Sequence, residues 1–300
     1  MNENPLVTVN ILSFNRKEEL RNTLQKVFEQ DYKNIEVIVV DNASNDGSAD
    51  MVKLEFQDVQ LIQLEKNIGI AGWNEGFKVA KGEYVLVLDD DAYPDKSSLG
   101  ISIELLRSNS SFGAIAFNIY NVDELRKKTI RFGEGWLPKE SIDQEWPLIV
   151  GCTFLMRRKL FVQDMFSKEY FICFHELPII NIIMNIGYTI FYSQSSKSIH
   201  NVKIQKQYNA IRDFYHFRNM VNFIYWQFPK DFNIRITLKV ILFYFTRSLK
   251  YMWFLNYLKA IYGLNINLMS ISTKRLSIEV ANKILNSGII NYRFLKKFKK

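Results

Sequence analysis

Three adjacent carboxylates follow an apolar run in the sequence VLVLDDDAYPD, at Asp89, Asp90 and Asp91. Neighbouring anions repel one another, and burying even one of them without a partner is costly. A lysine or arginine, a metal ion or solvent must therefore offset their charge. Closely spaced carboxylate oxygens suit Mg²⁺ or Mn²⁺, which complete their coordination with water and substrate phosphates. The triplet predicts a site for a divalent cation and a diphosphate.

The elements that position this triplet alternate between strand and helix over residues 7–91. Short β-branched runs such as LVTVNILSF are separated by segments with helical spacing such as RKEELRNTLQKVFEQ. This alternation predicts βαβ units and a parallel sheet with helices on both faces. Ligands of such sheets bind beyond the carboxyl ends of the strands. Asn15, Asp41, Asn67 and the triplet follow predicted strand ends, so we expect them to converge on one crevice.

Several motifs resemble, in the same order, those of the family 2 inverting glycosyltransferases of GT-A fold. The runs VTVNILSFNRKEELRNTLQKVFEQDYKNIEVIVVDNASNDGSADMV and EKNIGIAGWNEGFKVAKGEYVLVLDDDAYPD carry the resemblance over about the first 95 residues, and it continues more weakly through VGCTFLMRRKLF and FHELPIINIIMNIGYTIFYSQSSKSIH. NIGIAGWNEGF is similar to the rhamnosyltransferase-like branch. The resemblance implies an α/β fold of GT-A type, a Rossmann-like and mostly parallel sheet with helices on both faces.

The resemblance also implies roles for individual residues. It assigns contacts with a nucleotide-sugar to residues at strand ends, in the loops that follow them and, for Asn74, on a helix: Asn15, Arg16, Asp41, Asn42, Asn67, Gly69, Asn74, Asp89 and Asp90. Among these, Asp41 matches the acid that hydrogen-bonds the nucleobase, and Asn74 matches a position facing the diphosphate. It assigns the cation, Mn²⁺ or Mg²⁺, to three residues: Asp89, Asp91 and His200. Many relatives have an arginine where this chain has Trp73.

The catalytic base is where the sequence departs from the family pattern. Relatives place a pair of acids about a dozen residues before a Gly-Tyr such as Gly187-Tyr188, whereas this chain has His175 and Glu176, with Pro178 at a later acidic position. Inverting transfer needs a carboxylate that takes the proton of the acceptor hydroxyl. We expect Glu176 to be that base, with His175 as a second titratable candidate. The alternative is that Glu176 caps a helix in a catalytically altered nucleotide-binding or assembly protein.

A nucleotidyltransferase is a further alternative, because it also combines a parallel sheet, a carboxylate-bound metal and a nucleotide. Such enzymes usually carry a glycine-rich, basic loop after the first strand, and LSFNRKEEL is not one. We therefore favour transfer of a sugar from a nucleotide-diphosphate sugar to a glycan or lipid-linked acceptor. Analogy with similar proteins suggests a role in bacterial surface polysaccharide synthesis.

The chain divides into two predicted parts. A GT-A domain spans residues 1–204, with a nucleotide-binding half (1–95) and an acceptor half (96–204), in which the polar segment 123–147 predicts a long loop. Residues 205–300 form a basic, aromatic-rich helical appendage. Its segment 232–264 combines large apolar side chains with five cations: Arg235, Lys239, Arg247, Lys250 and Lys259. This pattern favours an interfacial helix on anionic lipid or a helical hairpin packed on the domain, and a homodimer through this region is a further expectation.

Composition narrows the function classes. An apolar fraction of 48% with 23% charged residues is typical of a globular chain and excludes extensive disorder. The net charge of +8 is interleaved with apolar residues late in the chain, so nucleic-acid binding is not expected. Two cysteines, Cys152 and Cys173, are too few for a disulfide framework, and no secretory signal is evident. We expect a cytoplasmic protein, peripheral on the inner face of the cell membrane.

Overall fold

Residues 7–89 form the alternating strands and helices that the sequence predicts. The computed structural model describes residues 4–123, 128–131, 135–201, 210–250, 254–264 and 275–287. The strands are β1 (Val7–Ser13), β2 (Ile35–Asp41), β3 (Gln60–Gln63) and β4 (Tyr84–Asp89). The helices between them are α1 (Lys17–Phe28), α2 (Ser48–Glu55) and α3 (Trp73–Val79). The four strands are parallel, in the order β3-β2-β1-β4.

The register of these strands brings their carboxyl ends together. Ser13 at the end of β1 lies opposite Asp41 of β2, and Leu12 lies opposite Asp89 of β4. The apolar residues of β4 before Asp89 are fully buried, as expected for a central strand covered on both faces. The strands therefore form the predicted crevice at one edge of the sheet.

Helix α1 shows how the sequence positions one of the covering layers. Leu20, Leu24 and Val27 recur at helical spacing and are fully buried. Glu18 lies in the first turn and Lys26 in the last turn, where their charges complement the helix dipole. The helix thus packs its apolar stripe inward and leaves its charged face in water.

Residues 92–200 extend the sheet with both antiparallel and parallel strand pairs. Its elements are β5 (Ala92–Pro94), α4 (Ser98–Ser108), β6 (Phe112–Asp123), β7 (Lys128–Arg131), β8 (Gln144–Glu145), β9 (Thr153–Arg157), α5 (Glu176–Asn185) and β10 (Thr189–His200). Strand β9 lies between β4 and β6 and is antiparallel to both. Strand β10 is parallel to β6 and antiparallel to β5. The segment 123–147, predicted as a loop, contributes β7, which pairs with β6, and β8, which pairs with β10.

The C-terminal region is helical, as predicted. Its described helices are α6 (Ala210–Gln227), α7 (Lys230–Lys250), α8 (Phe254–Tyr262) and α9 (Ile278–Ser287). The ring of Phe217 on α6 packs against Tyr244 of α7 and Tyr257 of α8, at centroid distances of 5.0 and 5.1 Å. None of the helices in the described part of the chain is both long and apolar enough to span a bilayer. The predicted domain boundary at residue 204 lies outside the described residues and stays a prediction.

Candidate active site

Asp89 ends β4, and Asp90 and Asp91 form the turn to β5. The side chains of this triplet separate into two groups. Asp89 and Asp91 face His200, whose Nε2 lies 3.2 Å from Asp91 Oδ1 and 3.9 Å from Asp89 Oδ2. His200 reaches this position because β10 pairs with β5, which sets it opposite Ala92. The ligand atoms of Asp89, Asp91 and His200 all lie within 4.8 Å of one another. We call these three residues the cation cluster.

Asp90, the middle residue of the triplet, points the other way. Its carboxylate accepts hydrogen bonds from the Phe14 amide at 3.2 Å and from Arg16 Nη1 at 3.1 Å, and its backbone carbonyl accepts one from the Thr23 hydroxyl at 2.8 Å. Burial raises the pKa of Asp90 to about 7 even though Arg16 opposes the shift. Asp90 therefore anchors the loop after β1, and its predicted contact with the nucleotide-sugar stays a prediction.

Electrostatics in the cation cluster favour one cation among two anions. Burial and the neighbouring Asp91 raise the pKa of Asp89 to about 6. Burial opposes the ionisation of Asp91, but His200 and Arg16 outweigh it and lower its pKa. Burial likewise opposes a charge on His200, and Cys152 and Asp91 overcome it and raise its pKa to about 11. A protonated His200 supplies positive charge to the two carboxylates, and it must release this proton before its ring nitrogen can coordinate a divalent cation.

The cluster fits a divalent cation by its chemistry. Two carboxylates and an imidazole offer oxygen and nitrogen ligands to one point, and hard divalent cations prefer carboxylate oxygen. Within the described residues, Asp91 Oδ1 is buried and has no hydrogen-bond donor in good geometry. Such an atom is costly to bury unless a ligand approaches it.

The residues expected around the base and ribose lie in loops that are tied to one another. Asp41 is buried at the end of β2, and both of its carboxylate oxygens accept from the Ser44 amide at 3.3 Å. Asn15 accepts from the Asn45 amide at 2.8 Å, and its own amide donates to the Ser44 hydroxyl at 2.9 Å. Asn42 donates to the Gly69 carbonyl at 2.9 Å. The loops after β1 and β2 and the segment around Gly69 form one connected wall.

Gly69 adopts a conformation that suits only glycine. Its φ is +63°, and a Cβ there would lie 2.1 Å from the Phe171 carbonyl oxygen. The Asn67 side chain accepts from the Gly69 amide at 2.8 Å and fixes this turn. Asn74 exchanges two hydrogen bonds with the backbone of Phe166, at 2.8 and 3.1 Å. These bonds occupy the Asn74 amide, and its role toward the diphosphate stays a prediction.

Glu176 begins α5 and is 9% exposed. Its Oε1 accepts from the Gly151 amide at 3.1 Å, whereas its Oε2 has no hydrogen-bond partner among the described residues and lies 3.7 Å from His175 Nδ1. The His175 ring packs 5.5 Å from that of Trp73. Because one oxygen is held and the other is not, the carboxylate is oriented and can still accept a proton.

Gly151 is the residue of this site that the sequence interpretation missed. A Cβ at this position would lie 2.5 Å from His175 Nε2 and 2.7 Å from Glu176 Oε1. The Asp89 amide donates to the carbonyl of the next residue, Cys152, at 3.0 Å. The segment before β9 therefore connects Glu176 to the cation cluster. The signal lay in VGCTFLMRRKLF, whose glycine precedes a buried strand.

Comparison with known proteins places this site in a family. The model of glycosyl transferase family 2 matches residues 8–163. The chain belongs to glycosyl transferase family 2. The residues matched by the family run from β1 past β9 and include the whole acidic triplet. Glu176 and His200 lie beyond them, and membership in the rhamnosyltransferase-like branch stays a prediction.

Curated relatives of the family share part of this chain. Poly-beta-1,6-N-acetyl-D-glucosamine synthase of Staphylococcus epidermidis is 32% identical over 143 residues, covering 46% of this chain and 32% of that protein. The Escherichia coli UDP-Glc:alpha-D-GlcNAc-diphosphoundecaprenol beta-1,3-glucosyltransferase WfaP is 32% identical over 110 residues, covering 36% of this chain and 43% of that protein. The chain thus spans about a third to two fifths of the length of these relatives.

A solved structure confirms the fold. The mannosyltransferase PcManGT from Pyrobaculum calidifontis, in complex with GDP-Man and Mn²⁺, superposes with a TM-score of 0.55 at 18% identity, covering 98% of this chain and 82% of that one. This similarity extends into the C-terminal helices. The predicted GT-A fold with a C-terminal helical region is therefore confirmed.

Proposed function

We propose that this protein is a metal-dependent inverting glycosyltransferase that moves a sugar from a nucleotide-diphosphate sugar to a glycan or lipid-linked acceptor. The observation that carries the proposal is the link between the cation cluster and Glu176. The Glu176 carboxylate accepts a hydrogen bond from the Gly151 amide, and the backbone amide of Asp89 donates one to the carbonyl of the adjacent Cys152. Direct displacement at an anomeric carbon is assisted by a cation that stabilises the departing diphosphate and by a carboxylate oxygen that takes a proton, and Glu176 Oε2 has no hydrogen-bond partner among the described residues.

The proposed chemistry assigns separate tasks to these groups. A divalent cation, Mn²⁺ or Mg²⁺, held by the cation cluster would supply positive charge to the departing diphosphate. Asp41 and the wall formed by the loops after β1 and β2 hold the base and ribose. Glu176 Oε2 takes the proton of the acceptor hydroxyl. The acceptor oxygen forms its bond to the anomeric carbon as the bond from that carbon to the diphosphate oxygen breaks on the opposite face, which inverts the configuration.

The names of similar proteins support this donor and acceptor class. One relative is named as a polysaccharide synthase, and another is named for UDP-Glc and a diphosphoundecaprenol acceptor. A related structure holds GDP-Man and Mn²⁺. For this chain we accordingly propose bacterial surface polysaccharide synthesis at the inner face of the cell membrane. The family match gives no support to a nucleotidyltransferase.

A catalytically altered protein is the second candidate, because His175 and Pro178 replace acids of the family pattern. Thermal-shift measurements with UDP-, GDP- and dTDP-sugars in the presence of Mn²⁺ would identify the donor. Product formation from that donor with candidate acceptors would then separate the two functions. Binding with no product from any acceptor, and no hydrolysis of the donor, would favour the altered protein.

A further inference from the structure

Helix α7 presents apolar side chains on two different faces. One face packs inward through Ile236, Val240 and Tyr244, which are buried. The other face consists of five large apolar side chains that are between 37% and 61% exposed: Ile234, Leu238, Leu242, Phe245 and Leu249. Their spacing of four, four, three and four residues places them in one continuous stripe. A packed helical hairpin has no need of this second stripe.

Helix α8 also exposes large side chains. Leu255, Leu258 and Tyr262 are 74%, 45% and 95% exposed. We call these three side chains and the five of α7 the apolar stripe. The five exposed side chains of α7 form one row along a single helix face, and a row of this kind marks an interaction site, whereas single exposed apolar side chains are ordinary.

Cations border the apolar stripe. Arg235 and Lys250 are exposed, and each directly follows a stripe residue, so both lie along the same edge of α7. Lys239 is partly exposed on that edge, and Lys259 is exposed on α8. Residues 232–264 contain no aspartate or glutamate. The surface is therefore apolar along its centre and positive at its margin.

Arg247 does not belong to this margin, although the sequence grouped it with the other four cations. Its Nε lies 3.3 Å from Asp213 Oδ2 on α6, on the packed side of α7. The structure thus separates one cation that joins helices from four that border the apolar stripe.

We propose that the apolar stripe docks on the surface of an anionic lipid bilayer. Large apolar side chains can enter the headgroup boundary while the bordering cations meet anionic headgroups, which is how interfacial helices bind. The inference rests on the proposed function in one respect, since a lipid-linked acceptor would be presented at such a surface. Asn219 of α6 donates to the carbonyls of Ile172 and Cys173 at 2.8 Å, which connects these helices to the segment that precedes Glu176.

Cosedimentation of the full chain with vesicles tests the proposal. Wild-type protein should bind vesicles of phosphatidylcholine with about a third phosphatidylglycerol and should bind pure phosphatidylcholine weakly. Binding should weaken as salt rises, because exposed charges are screened beyond about 10 Å at 0.1 M ionic strength. The Leu238→Gln/Leu242→Gln/Leu249→Gln variant should lose binding at least tenfold.

The charged margin is tested separately. The Arg235→Gln/Lys250→Gln/Lys259→Gln variant should bind anionic vesicles about a hundredfold more weakly, at roughly fivefold per cation. The matched control is Lys53→Gln/Leu54→Gln on α2, which changes an exposed cation and an exposed leucine away from the stripe and should bind like wild type.

Three results would overturn the docking proposal: no binding of wild type to either vesicle, equal binding of all variants, or a dimer that the leucine substitutions convert to monomer. The last result would show that a second copy covers the stripe. Nucleotide-sugar binding with Mn²⁺, measured without vesicles, reports on the proposed function independently. If wild-type protein bound no nucleotide-sugar, the proposed function would be wrong, and the result on vesicle binding would still hold.

Discussion

Arg16 is the cation that meets the acidic triplet in this structure. Its Nη1 lies 3.1 Å from Asp90 Oδ1 and 2.6 Å from Asp91 Oδ2. Asp91 also belongs to the cation cluster, so Arg16 and a divalent cation would bind the same carboxylate. The Arg16 side chain is 49% exposed and can move away from Asp91 at little packing cost. Arg16 and the divalent cation should therefore compete for Asp91.

The substitution Arg16→Met should raise the affinity of the nucleotide-free protein for Mn²⁺ by about tenfold. Removing one positive charge beside the site is worth roughly 1–2 kcal/mol at the effective dielectric near a protein surface. Titration of Mn²⁺ followed by electron paramagnetic resonance would measure the change. Arg21→Met is the matched control, because Arg21 contacts Glu18 and Glu55 instead of the cluster. Equal Mn²⁺ affinity in Arg16→Met and wild type would contradict the competition.

Glu176→Gln should reduce turnover by roughly 10²–10⁴, the usual contribution of a general base. The substitution keeps the shape and the bond from the Gly151 amide but removes the proton acceptor, so affinity for the nucleotide-sugar should stay unchanged. Steady-state rates and isothermal titration calorimetry would separate the two effects.

Glu169→Gln serves as its control, because Glu169 is exposed on the segment that leads to Glu176. It should retain wild-type turnover. If Glu176→Gln kept full activity while His175→Ala lost it, His175 would be the base and our assignment would be wrong.

The short segment before β9 is the element that couples the two halves of the site. The Gly151 amide donates a hydrogen bond to the Glu176 carboxylate, and the Cys152 carbonyl accepts one from the backbone amide of Asp89. A Cβ at position 151 would meet the ends of two side chains, His175 and Glu176, and not a rigid backbone. Those side chains can shift, so the fold should tolerate alanine there while the orientation of the base should not.

Gly151→Ala should therefore lower kcat at least tenfold and leave nucleotide affinity and the unfolding midpoint close to wild type. Gly100→Ala in α4 is the matched control, since no atom lies within 4 Å of the added Cβ. That control should keep full activity and gain roughly 0.5–1 kcal/mol of stability, because alanine favours a helix interior over glycine. Denaturation and steady-state kinetics of both variants would check the contrast. A fully active Gly151→Ala would show that the glycine does not position the base.

The sequence predicts best the strands that carry a clear apolar run. Strand β4 and the second part of β2 are buried apolar runs, so the ends of these strands locate Asp89 and Asp41. The strand pairing of the second half has no such signal. The position of β9 between β4 and β6 depends on contacts distant in sequence, and β7 and β8 lie in a polar segment that resembles a loop.

The site residues also were predictable only in part. Sequence identifies the types of side chain at the strand ends, but their partners depend on side-chain direction. Asp90 and Asp91 are neighbours of the same type, yet one anchors the loop after β1 and the other faces His200. The contact of Gly151 with Glu176 joins residues 25 positions apart, and only the folded chain reveals it.

At the scale of the whole molecule, His216 on α6 lies between Phe174, which precedes α5, and Tyr244 of α7. The His216 ring packs edge-on against Phe174 at 4.4 Å, and its Nδ1 lies 3.1 Å from the Tyr244 hydroxyl on α7. Burial, together with the positive charges of Arg212 and Arg247, outweighs the opposing Asp213 and lowers the pKa of His216 to about 4. The folded protein therefore holds a neutral histidine between the segment before α5 and helix α7.

Acidification should destabilise the protein through this histidine. Below its ordinary pKa of 6.5 the unfolded chain binds a proton that the folded chain does not, so this contribution to stability is lost as pH falls from about 6.5 toward 4. Asp89 and Asp90 act in the opposite direction, since their raised pKa values let the folded state take up protons over part of this range. The net pH dependence of wild type thus combines both signs, and a variant must isolate the histidine.

His216→Gln keeps a polar side chain opposite Tyr244 and removes the titration. The difference in unfolding free energy between wild type and His216→Gln should shift by roughly 2 kcal/mol between about pH 7.5 and pH 5, with wild type losing more. Urea denaturation at both pH values measures it, and a difference that does not change with pH would show that His216 titrates normally in the folded protein.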